Sequence, residues 1–293
     1  MDQETITTFW NTHPCGDSLV DEIYAADYEE FFATYDAYRF RVEGHILRCL
    51  DAIDWEGKRV LEIGLGQGAD AEQIIRRGGI WNGVDATEEA VNRTRMRLEL
   101  RRLPYEQVTV ADVNQLPGDL GLFDIVYSHG VLHHVPTIHQ AQYQIHQHLR
   151  ETGRLIVMLY ARWSLNYVVA IGAVRRFGLL AAALGDRLGW TPPDVVAQHL
   201  KSARQYGWRS YLRNPTWTSR NTDGPSNPYS VVYDLKRVRK AFPSFTVEKS
   251  WREFMHAPPL PVHGLPGASF VGWHLWVDLR PLPDPVVPVP TTA

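Results

Sequence analysis

Residues 59–70 read Arg59-Val60-Leu61-Glu62-Ile63-Gly64-Leu65-Gly66-Gln67-Gly68-Ala69-Asp70, an apolar run that enters a glycine-rich turn and continues into a polar stretch suited to a helix. Val60, Leu61 and Ile63 have the unbroken apolar character of a central parallel strand, covered on both faces. Gly64, Gly66 and Gly68 free the backbone to turn tightly and let a ligand come within contact distance. A strand, a glycine turn and a helix in this order suit a nucleotide-type cofactor at the edge of an open α/β sheet.

Two cofactor classes compete for that turn. Gly64, Gly66 and Ala69 satisfy the G-x-G-x-x-G/A spacing that cradles a pyrophosphate on a helix N-terminus. Glu62 argues the other way. An acid two residues before the first glycine repels a pyrophosphate and attracts the ammonium and sulfonium of S-adenosylmethionine (SAM). SAM therefore ranks first, a nicotinamide dinucleotide second, and a plain strand-to-helix turn third.

Composition narrows the rest. The 293 residues are 44% apolar and 22% charged, ordinary for a globular chain that forms one large domain or one domain with a sizeable insertion. The formal net charge is −3 and no basic block stands out, so the footprint of a nucleic-acid binder is missing and a small-molecule partner is expected. Cys15 and Cys49 form neither a disulfide framework nor a zinc pattern, which makes a reducing, cytoplasmic setting the expectation. The acidic, polar N-terminus lacks the basic and apolar regions of a signal peptide. The apolar stretch 165–185 is interrupted by Arg175 and Arg176, so no membrane partner is expected, although an amphipathic surface helix stays open. Oligomeric state is not legible.

Working outward from the turn, a helix is expected over 70–77, stopped by Gly78-Gly79, then a strand over 80–84 that ends in Asp85. Asp85 suits either the ribose hydroxyls of a nucleoside or the start of the next helix, near 87–102. A third strand over 108–111 leads to Asp112-Val113, where one acceptor and one backbone donor can meet adenine. A fourth strand, 123–128, runs into the histidine-rich loop 129–136, and Pro136 opens a helix whose His139, His146 and His148 are expected at the surface. A fifth strand covers 155–160. His129 and His133 are four apart, but no third ligand or catalytic glutamate completes a metal site.

On the near side, residues 1–57 are aromatic-rich and helical in pattern. Phe31, Tyr35 and Tyr38 recur at helical spacing, consistent with packing on the sheet edge. Residues 10–16 read as an irregular segment able to close over a site, so the arm is weighed equally as a lid. Trp10 and Tyr24 from this arm, with Tyr160 at the end of the fifth strand, are the expected substrate contacts. On the far side, 161–244 is longer than one crossover needs and reads as a substrate-facing, mainly helical cap. Strands follow at 245–249 and 271–279, the second alternating as if one face were exposed, and then a proline-rich tail.

With these pieces placed, the chain resembles the class I SAM-dependent methyltransferases of type 11, which include ubiquinone and menaquinone biosynthesis enzymes and natural-product methyltransferases. The matching stretches are 60–68, Gly83-Val84-Asp85, Ala111-Asp112 and 123–135, spread over about 58–160. The resemblance implies an α/β fold: a Rossmann-like seven-stranded sheet with its last strand antiparallel and helices on both faces. Outside the matched span, the residues read as an N-terminal helical lid (1–57) and a cap (161–244) inserted after strand 5, with the last two strands in 245–280 and the tail in 281–293. The resemblance also implies that Glu62, Gly64, Gly66 and Gly68 meet the methionyl and ribose parts of SAM. Asp85 with Ala86 would take the ribose, and Asp112 with Val113 the adenine. Ser128 and His129 fall near the methionine end.

The function so implied is methyl transfer from SAM to a small molecule, in secondary-metabolite or cofactor biosynthesis. The alternatives are an NAD(P)-dependent oxidoreductase and a non-catalytic SAM binder. If the acceptor is a hydroxyl, an imidazole suits the removal of its proton. His133 is the first candidate base and His129 the second.

Overall fold

The computed structural model describes residues 3–14 and 27–288. The apolar runs pair into one seven-stranded sheet: β1 (Arg59–Ile63), β2 (Ile80–Asp85), β3 (Gln107–Val110), β4 (Phe123–His129), β5 (Leu149–Tyr160), β6 (Phe245–Glu253) and β7 (His274–Pro281). Their order is β3-β2-β1-β4-β5-β7-β6. The pairs from β3 through β5 are parallel, whereas β7 is antiparallel to both β5 and β6. Strand order reverses between β1 and β4, and in open α/β sheets ligands bind in the crevice at that point.

Successive residues on each strand face opposite layers. Val60, Ile125, Tyr127 and Ile156 enter one buried cluster, while Leu61, Val126, Leu155 and Val157 enter the other. β7 departs from the half-exposed strand its alternation suggests, because it lies between β5 and β6 and is covered on both faces. Its polar positions are satisfied internally: Asp278 accepts from Arg154, and His274 Nδ1 is 2.9 Å from His45 Nε2.

Helices flank the sheet: α1 (Gln3–Thr12), α2 (Tyr28–Val42), α3 (His45–Asp51), α4 (Ala69–Arg76), α5 (Glu88–Leu100) and α6 (Ile138–Gln147). Asp27 caps α2 by accepting from the Glu29 and Glu30 N–H groups, and Thr87 caps α5 through Ala90 N–H. α2 packs on α5 rather than on a sheet edge, with Phe31 and Phe32 against Met96. The fully buried Arg97 of α5 holds that contact: it donates to both carboxylate oxygens of Asp36 (2.8 and 2.9 Å), to Glu72 and to Gln67 O. Removing one partner from such a cluster strands a buried charge and costs about 3–5 kcal/mol.

The expected irregular segment from Trp10 is helical through Thr12, whose Oγ1 bonds back to Thr8 O. Burial of Ile6 on this helix outweighs the low helix propensity of its threonines. Cys15, Gly16 and Tyr24 lie outside the described residues. His148 is buried rather than at the surface, with Nδ1 on Gln144 O and Nε2 on Pro117 O.

Between β5 and β6 the chain forms a helical layer: α7 (Asn166–Val174), wound as a π-helix, then α8 (Arg175–Arg187), α9 (Asp194–Tyr206), α10 (Trp208–Tyr211), α11 (Asn214–Thr222) and α12 (Leu235–Ala241). Trp217 anchors it from within, donating from Nε1 to Ile171 O. The return segment is tied to the end of β5 by the Tyr233 N–H bond to Tyr160 O and the Arg162–Asp234 ion pair. A short α13 (Ala268–Val271) precedes β7.

Candidate active site

The carboxyl ends of β1, β2, β4 and β5 open on a cleft with a solvent-accessible volume of about 250 Å³. One water needs roughly 10–15 Å³ by this measure, so the cleft admits a ligand of cofactor size. α1 roofs it with Gln3, Ile6, Thr7 and Trp10, which share one helix face.

One end is built by the glycine turn. Gly64 has φ +83°, and a Cβ there would lie 2.1 Å from Val131 Cγ2, so only glycine fits. Gly66, at φ +52°, has open space where its Cβ would be, so at this position the backbone itself faces the cleft. Asp85 clamps the turn: its Oδ2 accepts from Leu65 N–H (2.7 Å), and its Oδ1 accepts from Thr87 N–H and Oγ1 (both 2.8 Å). Burial pushes the Asp85 carboxyl up, against these hydrogen bonds. Ala86, Ala111 and Val113 line the cleft beside it.

Below the turn lies a charged pocket. Glu62 is buried and accepts from Trp81 Nε1 (2.8 Å), and Asp70 accepts from Arg39 Nη2 (2.8 Å) and Tyr127 OH (2.9 Å). Burial, with the charge of Asp70 adding to it, raises the Glu62 carboxyl well above the usual range. Burial also opposes charge on Asp70, but Arg39, His129 and Tyr127 together hold it below its usual range. His129 lines this pocket with Nδ1 3.4 Å from Arg39 Nη2, and its buried Nε2 has no hydrogen-bond partner among the described residues. Burial lowers its pKa to about 4, so the ring is neutral at pH 7.

The opposite end is assembled from distant segments. Tyr160 OH donates to Asp223 Oδ1 (2.5 Å), and Asn227 Nδ2 donates to Asp223 Oδ2 (3.2 Å). His134 Nδ1 is 2.7 Å from Tyr229 O and 3.0 Å from Ser230 Oγ, so Nδ1 carries the proton. Nε2 then presents a lone pair 3.5 Å from Asp223 Oδ2. Trp10 meets the His134 ring edge-on at 5.0 Å.

Several expected site residues lie behind this surface. His133 does not line the cleft: it is fully buried, its ring tilted against Tyr160 with centroids 3.8 Å apart, and neither ring nitrogen has a partner among the described residues. Burial drives its pKa well below the ordinary histidine value. Ser128 Oγ ties β4 to β1 through Ile63 O, Gly68 packs on Thr94, and Asp112 turns its own loop by accepting from Asn114. The sequence reading missed Arg39, Asp70, His134 and Asp223. The adjacent His133-His134 pair was the one signal for His134, and it does not say which ring faces the cleft. Among the described residues no cluster of three or more His, Cys, Asp or Glu side chains is arranged to hold a metal ion.

Residues 61–157, which supply the turn, Asp85, His129 and His134, match the family described as a methyltransferase domain, type 11. These residues are similar to that family's domain. The ubiquinone biosynthesis O-methyltransferase of Glaesserella parasuis is 33% identical over 119 residues, covering 39% of this chain and 50% of that protein. Its counterpart in Alkalilimnicola ehrlichii is 30% identical over 162 residues, covering 54% and 64%. The chain thus spans about half to two thirds of the length of these curated relatives. In fold, the chain is similar to magnesium protoporphyrin IX methyltransferase from Synechocystis with bound SAH. That likeness has a TM-score of 0.54 at 13% identity and covers 96% of this chain and all of the other. An S-adenosylmethionine-dependent methyltransferase from Mesorhizobium loti aligns with a TM-score of 0.50 at 18% identity, covering 82% and 97%.

The residues present fit such a cofactor. Gly66 leaves backbone facing the cleft, the acids Glu62 and Asp70 suit an ammonium group, and the unpartnered Nε2 of His129 suits a polar ligand atom.

Proposed function

We propose that the protein is a SAM-dependent methyltransferase acting on a hydroxyl of a small molecule, within cofactor or secondary-metabolite biosynthesis. When bound, SAM supplies an electrophilic methyl group that an acceptor oxygen attacks in line. Glu62 and Asp70 would hold the ammonium end, Asp85 and Ala86 the ribose, and Val113 the adenine. A pyrophosphate on the same turn would meet the acids Glu62 and Asp70, which speaks against the nicotinamide reading.

The observation that carries the hydroxyl assignment is the facing pair His134 Nε2 and Asp223 Oδ2, 3.5 Å apart. His134 Nε2 carries the lone pair left without a hydrogen bond among the described residues, so it can accept an acceptor's O–H while the Asp223 carboxylate lies beside it. His134 would take the proton, with its tautomer fixed by Tyr229 O, while Asp223 stabilises the resulting imidazolium. This role replaces the one expected of His133. The arm with α1 would act as a lid that excludes water, and residues 221–230 of the cap would select the acceptor.

The test is turnover by His134→Gln and Asp223→Asn against a panel of phenols, alcohols, amines and carboxylates. For the histidine variant, kcat should fall by about 10²- to 10⁴-fold with SAM affinity unchanged. Full activity of that variant would remove the base, and turnover confined to amines would remove the hydroxyl acceptor.

A further inference from the structure

The helical layer presents an apolar face that nothing among the described residues covers. Asn166–Arg187 is the one helical segment among the described residues long and apolar enough to cross a membrane. It does not run free of the protein, because Ala170, Ile171, Leu179 and Ala182 are buried and Arg175 donates to Asn221 O and Pro258 O. Its outer side is a different surface. Phe177, Leu184 and Leu188 are 71%, 60% and 79% exposed, and Leu180 and Trp190 are also exposed. At 3.6 residues per turn, Phe177, Leu180, Ala181, Leu184 and Leu188 fall in one stripe about 100° wide, with Arg176 and Arg187 along its flank. Trp163 and Phe270 are also exposed, and Arg252 Nη1 donates to both of their carbonyls.

The helical layer that carries the stripe is basic overall. Residues 161–220 hold nine basic and two acidic side chains in a chain whose net charge is −3, so the whole-chain value conceals a local basic surface. Arg187, Lys201, Arg209 and Arg213 are exposed and form no ion pair among the described residues. A second copy docking face to face on this surface would oppose like charges, whereas an anionic surface would neutralise them. An apolar stripe of Phe and Leu, a neighbouring Trp and basic flanks are the features of a helix lying in a lipid interface.

We propose that α8 and the segment through Trp190 form a docking surface for anionic lipid bilayers, with the helix lying in the plane of the headgroups and its Phe and Leu side chains entering the acyl region. This does not rest on the methyltransferase reading. It does place the cap, which also carries Asp223, against the membrane.

The test is co-sedimentation of the full chain with vesicles of phosphatidylcholine alone and of phosphatidylcholine mixed with phosphatidylglycerol, at low and high salt. Binding should require the anionic lipid, weaken with salt, and fall by about tenfold or more in Leu184→Asp/Leu188→Asp. Both side chains are largely exposed, so the thermal midpoint of this variant should match the wild type. No sedimentation with either vesicle overturns the proposal. So does a concentration-dependent dimer that the same double variant abolishes while vesicle binding stays absent.

Discussion

The two ends of the cleft are made in opposite ways. At the glycine turn, the cleft is lined by consecutive residues at the tips of adjacent strands, and Asp85 is only twenty-one residues beyond Gly64. At the far end, Trp10, His134, Tyr160 and Asp223 come from four segments and meet only because β5, the cap and α1 are folded together. A site made from one supersecondary unit is written locally in the chain, and a site made by tertiary packing is not. Under the proposed function the first end would hold the cofactor, and the second would vary with the acceptor.

The sharpest way to break this contrast is at the turn. Gly64→Ala forces a Cβ against Val131 in a left-handed backbone, and it should cost about 2–4 kcal/mol of stability along with cofactor binding. Gly66→Ala is also left-handed, at φ +52°, but has open space for its Cβ, so it should lose only about 1–2 kcal/mol while weakening SAM. Equal thermal losses in both variants would mean that the turn is merely structural. At the far end, Tyr160→Phe removes one hydrogen bond to Asp223, and kcat/KM for the acceptor should fall by about tenfold with SAM affinity intact.

A smaller effect sharpens the charge assignment. Glu62 holds its proton above the usual carboxylate range, and an ammonium group beside it favours the ionised form. The bound state therefore has the lower pKa and binding releases protons. SAM affinity should rise with pH through the titration of Glu62 and decline as pH falls. Calorimetry in buffers of different ionisation enthalpy reads this release directly, and Glu62→Gln should abolish it.

Most of the fold was legible because β1, β2, β4 and β5 carry apolar runs that only a covered parallel sheet accommodates. β7 was misjudged as half exposed: its alternating Trp273-His274-Leu275-Trp276-Val277-Asp278 pattern hides polar groups that are paired inside the protein with His45 and Arg154. Asp85, Ala86 and Val113 could be placed on the cleft from their positions after strands. Gly68, Asp112 and Ser128 sit in the same motifs yet serve the turn, its loop and a strand contact. His133 and His134 are one residue apart, and only the short turn of 3₁₀-helix at Leu132–His134 decides that the second faces the cleft. Asp223 has no local signal, since its place depends on Asn227 bonding Thr222, Asp223 and Ser230. The basic cap was invisible in a whole-chain charge of −3.

The central claim, a SAM site at the glycine turn, is met most directly by calorimetric titration of the full chain with SAM, its demethylated product and NADH, alongside Asp85→Ala checked for fold by circular dichroism. The expected result is micromolar binding of SAM and of the product, no heat from NADH, and loss of SAM binding in a folded Asp85→Ala. Binding of NADH without SAM, or SAM affinity unchanged in the variant, would contradict it.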